Sequence, residues 1–282
     1  ALPERLDRGI DVLRSWGLDV REGPHARGTH ETLAYLAADD AARADDLTRA
    51  WCDPEVAAVI CARGGYGVQR LVDLLDWESL AAAGPKVLVG FSDVTALHQA
   101  FAARLGLSTI HGPVATSLGA GDDESREHLR SMLFEPAVGT SLTPTPATGL
   151  VGGRAEGVLV GGNLALLAAE IGSRNSAPAA SSIAVLEEIG EEPYRLDRML
   201  TQLLRAGWFD GARGIVVGEL TDCGPEHTVR AVVTERLAPL GVPMLWGAPL
   251  GHGSRNLAFP LGVPAVLDAD EGTLVLREAA LV

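Results

Sequence analysis

The chain reads as an α/β protein whose first half is a doubly wound parallel sheet, and three observations predict it. Short apolar runs alternate with segments whose apolar residues recur at helical spacing. The runs themselves are almost wholly apolar, as strands covered on both faces must be. Polar or glycine-rich residues follow directly on their ends, where such a sheet places its ligands.

In order, Leu6, Ile10, Leu13 and Trp16 mark a first helix, and residues 39–51 have the composition of a surface helix. An apolar strand is expected at 56–61, a helix at 68–77 and a strand at 87–89, followed by the helical face of Val94, Leu97 and Phe101. The pattern is lost in EPAVGTSLTPTPATGLVGG, whose Pro, Thr and Gly suit an interdomain crossing. This divides the chain into residues 1–135, a linker at 136–153 and residues 154–282. In the last part strands are expected at 157–160, 183–186, 215–217 and 244–246, and helices at 164–171, 196–206 and 229–237. Two runs at 264–267 and 273–276, joined by DADEG, read as a terminal hairpin.

The 282 residues suffice for two domains with real cores, and 47% hydrophobic against 21% charged residues is the balance of a soluble globular protein. With 37 acidic and 23 basic residues the net charge of −14 argues against a nucleic-acid or anionic-membrane partner. The longest apolar run, near 157–169, is broken by Gly161, Gly162 and Asn163 and is too short to cross a bilayer. No targeting pattern opens the sequence, and Cys52, Cys61 and Cys223 lack the spacing of a disulfide framework or a zinc site. A cytoplasmic protein fits these features.

In KVLVGFSDVTAL, Ser92 falls on the turn between an apolar strand and a helix, a position that holds nucleophiles in several hydrolases. Serine and aspartate are also ordinary helix caps, so this stretch alone leaves both roles open. Three more strands end on polar residues: 56–61 runs into RGGYG, 183–186 into Glu187 and Glu188, and 244–246 leads to His252. A hydroxyl, a carboxylate, an imidazole and a glycine turn are what a serine hydrolase needs: nucleophile, base, the group that orients the base, and backbone donors for an oxyanion.

Each piece has a plainer reading. RGGYG lacks the lysine and spacing of a phosphate-binding loop, and its glycines serve any tight turn. Adjacent strand residues point to opposite faces, so at most one of Glu187 and Glu188 is expected in a site. His252 between glycines suits a simple loop. His25, His30, His98, His111, His128 and His227 show no paired ligand spacing, so neither a metal nor another cofactor is read from the sequence.

Taken together, CARGGYGVQRL, GFSDVTALHQAF, IHGPVATSL, GVLVGGNLALL, VLEEIGEEPYRLDRMLTQL and GHGSRNLAFPLG, in this order, closely resemble the LD-carboxypeptidase family of serine peptidases. The likeness runs from about Leu6 to the C-terminus. It implies a flavodoxin-like N-terminal domain carrying Ser92 and a mixed α/β C-terminal domain carrying Glu187 and His252, with the site between them. It further implies a Ser–Glu–His triad, an oxyanion hole from the backbone N–H groups of Gly65 and Asp93, and a cytoplasmic homodimer without a cofactor. The substrate would be a murein tetrapeptide losing its terminal D-alanine in cell-wall recycling.

An exopeptidase must also sense a free carboxylate, for which Arg63 and Arg255 are candidates, although a surface or structural role is the plainer reading of each. The family's other branch hydrolyses microcin C-like peptidyl nucleotides; its members tend to carry an aromatic loop, and residues 163–186 here contain no Trp, Tyr or Phe. A two-domain binding protein without turnover is the reading from another class, against which the presence of all three triad residues speaks. Family members usually begin with an apolar strand and a Pro/Ser turn ahead of the first helix, whereas this sequence opens at ALPERLDRG, so one parallel strand fewer is expected.

Overall fold

Val87, Leu88 and Val89 form an apolar run too short to be stable alone, and the chain buries it by pairing it on both sides. The computed structural model describes residues 3–281. It begins with α1 (Pro3–Ser15) and α2 (Asp40–Cys52), then alternates through β1 (Ala58–Ile60), α3 (Val68–Val72), α4 (Trp77–Ala83), β2 (Val87–Gly90), α5 (Thr95–Leu105) and β3 (Thr109–His111). The helices α6 (Ala115–Leu118) and α7 (Asp123–Phe134) follow, and then β4 (Thr148–Val151), β5 (Arg154–Asn163), α8 (Leu164–Glu170), β6 (Ser182–Ile189) and α9 (Pro193–Arg205). The chain ends through β7 (Gly214–Thr221), α10 (Glu226–Leu237), β8 (Met244–Trp246), β9 (Phe259–Leu261), β10 (Pro264–Asp268) and β11 (Thr273–Leu276).

Two sheets result. The first has the order β1-β2-β3-β9, with β1, β2 and β3 parallel and β9 antiparallel against β3. The second has the order β11-β10-β5-β6-β7-β8-β4; its four middle strands are parallel, while β4, β10 and β11 are antiparallel additions at the edges. The α/β class and the mixed second half are therefore as the sequence leads one to expect. β9 comes from late in the chain yet completes the sheet that carries Ser92.

Strand β6 shows how the sequence sets the layers. Its residues alternate between faces, so Ile183 and Val185 join a core shared with Val89, Ile110 and Phe259 of the first sheet. Ala184 and Leu186 face the other way, under Leu167, Leu196 and Leu203 of α8 and α9. Burial on both faces explains why this strand is a continuous apolar run.

Some elements differ from the expectation. The helix read at 68–77 stops at Val72, and Trp77 opens a separate helix because the Asp76 carboxylate accepts the Ser79 N–H at 3.1 Å and caps it. β4 lies within 136–153, where it pairs with β8. Neither β3 nor α7 is anticipated in the sequence; both prove important to the site.

Candidate active site

The chain leaves β2 at Gly90, passes Phe91 in an extended conformation and enters a single 3₁₀ turn, Ser92–Val94, before α5. Ser92 has φ of +64°, a left-handed conformation uncommon for a residue with a Cβ. Something must hold it there. The buried Asp93 carboxylate accepts the Val68 N–H at 2.8 Å, tying the Ser92 turn to the start of α3 and hence to the RGGYG turn just before it. Burial pushes the Asp93 carboxyl above its usual range, partly offset by that hydrogen bond. The glycine turn lies directly on Ser92: a Cβ at Gly64 would stand 2.9 Å from the Ser92 Cβ and 3.2 Å from its Oγ. Gly65 follows with φ of +110°, beside the exposed Arg63, whose Nε donates to the Gly64 carbonyl at 3.2 Å.

Glu187 lies on β6, fully buried, and its Oε2 accepts a hydrogen bond from His252 Nδ1 at 2.5 Å. With Nδ1 donating, the basic nitrogen of a neutral His252 is Nε2. Burial alone would raise the Glu187 carboxyl, but His111 and His252 outweigh it and hold the group at about 2. It is therefore an anion at neutral pH, suited to stabilising an imidazolium.

Glu188 points the other way. Its carboxylate takes Asn163 Nδ2 at 2.9 Å, the Ala165 N–H at 2.7 Å and the Ile189 N–H at 2.8 Å, which makes it a structural cap at the start of α8.

The loop that presents His252 is held from two sides. Gly251, at φ +104°, runs so close to Glu187 that a Cβ there would be 2.6 Å from Oε2. Asn256 Oδ1 accepts the Gly251 N–H at 3.1 Å, and the Asn256 N–H donates to Ser125 Oγ at 2.8 Å. Ser125 in turn donates to Asp122, the N-cap of α7, at 2.6 Å. The helix missed in the sequence thus anchors the imidazole.

Glu187 and His252 are joined directly, and Ser92 is brought beside them through Phe91, whose ring lies against that of His252 with centroids 4.7 Å apart. Among the described residues no hydrogen bond links Ser92 Oγ to His252. A cavity of about 370 Å³ opens at Phe91, His252 and Gly253 and is also lined by Ser117, Arg5 and Arg126. Arg63 and Arg255 do not line it; Arg255 reaches Glu124 at 3.4 Å. No cluster of three or more metal-ligating side chains forms among the described residues.

The strained Ser92 turn follows a strand of one sheet, Glu187 lies on the other and is bonded to His252, and Phe91 and His252 line a common cavity. Residues 1–112 match the LD-carboxypeptidase N-terminal domain and residues 156–267 match the LD-carboxypeptidase C-terminal domain. The chain belongs to the LD-carboxypeptidase family.

A Streptomyces coelicolor protein is 54% identical over 280 residues, 99% of this chain and 90% of its own. The murein tetrapeptide carboxypeptidase of Pseudomonas aeruginosa is 38% identical over 276 residues, 94% of this chain and 89% of its own. The crystal structure of the Oxalobacter formigenes muramoyltetrapeptide carboxypeptidase superposes with a TM-score of 0.85 at 29% identity, covering 98% of this chain and 94% of that one. The microcin C7 self-immunity protein of Escherichia coli is more distant, 25% identical over 313 residues, 98% of this chain and 89% of its own.

Within this LD-carboxypeptidase-family fold, sequence patterns alone do not single out Asn256, Ser125, Asp122 and His111. Asp122 carried a readable signal, an acidic N-cap ahead of DESREHL. His111 lay in the IHGP segment but had no local partner to suggest a role.

Proposed function

We propose that the protein is a serine carboxypeptidase that hydrolyses the L,D-peptide bond to the terminal D-alanine of murein tetrapeptides, with Ser92, Glu187 and His252 as its triad. The observation that carries this reading is the 2.5 Å bond from His252 Nδ1 to Glu187, which leaves Nε2 free as the base beside the strained Ser92 turn. His252 Nε2 takes the Ser92 hydroxyl proton as Oγ attacks the scissile carbonyl, and the oxyanion receives the N–H groups of Gly65 and Asp93. The C–N bond then breaks as the imidazolium gives its proton to the departing D-alanine amine, leaving an ester on Ser92. Water, deprotonated by the same imidazole, hydrolyses that ester and restores the serine.

Recognition of the product carboxylate falls to a guanidinium. Arg63 and Arg255 would each give up only an exposed contact, to Gly64 or Glu124, to supply it. Residues 1–135 then form the unit that brings the nucleophile, 136–153 the crossing, and 154–282 the unit that brings Glu187 and His252. The family resemblance extends this reading to a homodimer acting on recycled murein fragments in the cytoplasm. No helix among the described residues is long and apolar enough to cross a membrane. The peptidyl-nucleotide alternative has the weaker support, since the murein enzyme is 38% identical and the self-immunity protein 25%.

Turnover of a murein tetrapeptide beside the same peptide amidated at its C-terminus tests the reading. Release of D-alanine from the free acid, with the amide at least about a hundredfold slower, is the expected result, because a site built for the carboxylate is left with an unpaired guanidinium. Equal turnover of both would overturn the carboxypeptidase assignment, and cleavage of a peptidyl nucleotide alone would transfer the protein to the other branch.

A further inference from the structure

His111 is the last residue of β3, in register with Gly90 of the nucleophile's strand on one side and with Phe259 of β9 on the other. Its side chain is fully buried. The ring stacks on Phe259 with centroids 4.5 Å apart, and Phe91 meets it edge-on at 6.0 Å. Neither of its nitrogens has a hydrogen-bond partner among the described residues, and the same is true of Glu187 Oε1, the carboxylate oxygen that His252 does not use. Two of these unpaired atoms face each other: His111 Nε2 lies 3.8 Å from Glu187 Oε1. Buried polar atoms are rarely left unpaired, and a buried anion needs donors on both oxygens. About an ångström of approach would turn this contact into a hydrogen bond.

The titratable groups that face the ring are Glu187 from β6 and His98 from α5. His98 is already committed, with Nε2 on the Gly90 carbonyl at 2.9 Å and Nδ1 on the Thr109 hydroxyl at 2.8 Å. Beyond Glu187 stand His252, on its other oxygen, and Glu188, which turns away to Asn163. Of these groups, Glu187 is the acceptor that His111 Nε2 faces. The contact also joins the two sheets, because β3 pairs with the strand that carries Ser92 whereas β6 carries the acid.

We infer that His111 is a positioning residue of the hydrolase: as a neutral imidazole it donates Nε2–H to Glu187 Oε1, fixing the carboxylate plane that orients His252 and locking the acid's sheet to the nucleophile's. The inference rests on the Ser92–Glu187–His252 reading and adds a fourth member to it. Sharing the carboxylate's charge between two imidazoles keeps it from holding the His252 imidazolium too tightly. Without His111 the charge falls wholly on His252, which then stays protonated to higher pH.

Two measurements test this. In ¹⁵N-histidine NMR of the whole protein, His111 should be a neutral Nε2–H tautomer across the active pH range; an Nδ1–H tautomer or a ring that titrates in that range would overturn the inference without any variant or substrate. In kinetics, His111→Phe keeps the stack on Phe259 but loses the donor, while a His111→Gln amide restores a donor near the position of Nε2. The Phe variant should lose about tenfold or more in kcat with little change in KM, and the acidic limb of its kcat/KM profile should move to higher pH. The Gln variant should recover most of both. A folded Phe variant with parental kcat and limb, or Phe and Gln variants equally slow with an unmoved limb, would reduce His111 to packing. If Ser92→Ala retains full turnover, it is the triad reading that fails, and the NMR result still decides the His111–Glu187 bond.

Discussion

Gly251 shows how narrowly the site is built at the level of single residues. Its φ of +104° disfavours any side chain, and a Cβ would press to 2.6 Å on Glu187 Oε2, the atom that holds His252. Gly251→Ala should therefore lose at least about tenfold in kcat/KM while costing on the order of 1–3 kcal/mol in stability. A thermal melt beside the D-alanine assay checks this, and parental activity in the variant would contradict the geometry. Ser92, Glu187 and His252 stand out as candidates in the sequence because each lies at or beyond the end of an apolar strand, where a parallel sheet exposes its chemistry. His111 ends a strand too, but its partner lies on another sheet and no local pattern announces a contact of that kind. The geometry also separates two neighbours that strand alternation alone does not rank: Glu187 meets the imidazole, and Glu188 serves the start of α8.

The short apolar strands β8, β10 and β11 fall within a residue of where the sequence places them, and α9 and α10 within three, whereas the long strands β5 and β7 extend well beyond the runs at 157–160 and 215–217. β3 is only Thr109–His111, and its register against β2 and β9 is set by tertiary pairing rather than by its own composition. β4 hides in a Pro- and Thr-rich stretch because an edge strand paired on one side tolerates such residues. α7 is polar over most of its surface, with Leu129 and Met132 buried, so its apolar face is thin. Apolar spacing runs on through Leu74 and Leu75 and predicts one helix over 68–77, but the cap at Asp76 starts a second helix there. Caps, when they satisfy backbone donors, override such spacing.

Across the whole molecule, the two sheets share one core behind the site, and the buried His98 ties that core to pH. Burial first, and the neighbouring His111 second, lower His98 to about 3 from an ordinary value of 6.5. The folded-state value lies below the unfolded one, so the unfolded chain binds the proton first. Stability is then fully present above the ordinary imidazole value and is lost as pH falls from there toward about 3. Between about pH 6.5 and pH 5, before most carboxylates titrate, the protein should lose up to about 1.4 kcal/mol per pH unit from this group. His98→Gln should flatten that slope in denaturant titrations; an equal slope in parent and variant would remove His98 as its source. The same core packs the strand that leads to Ser92 against the strand that carries Glu187, and so the whole fold, rather than any local segment, makes the proposed hydrolase.

The most direct test of that claim is D-alanine release from a murein tetrapeptide by the protein and by Ser92→Ala, with both shown to be folded. Release by the parent, falling by at least about a thousandfold in the variant, is the predicted result. Equal release by both would contradict Ser92 as the nucleophile, and no release by the folded parent would contradict the murein substrate.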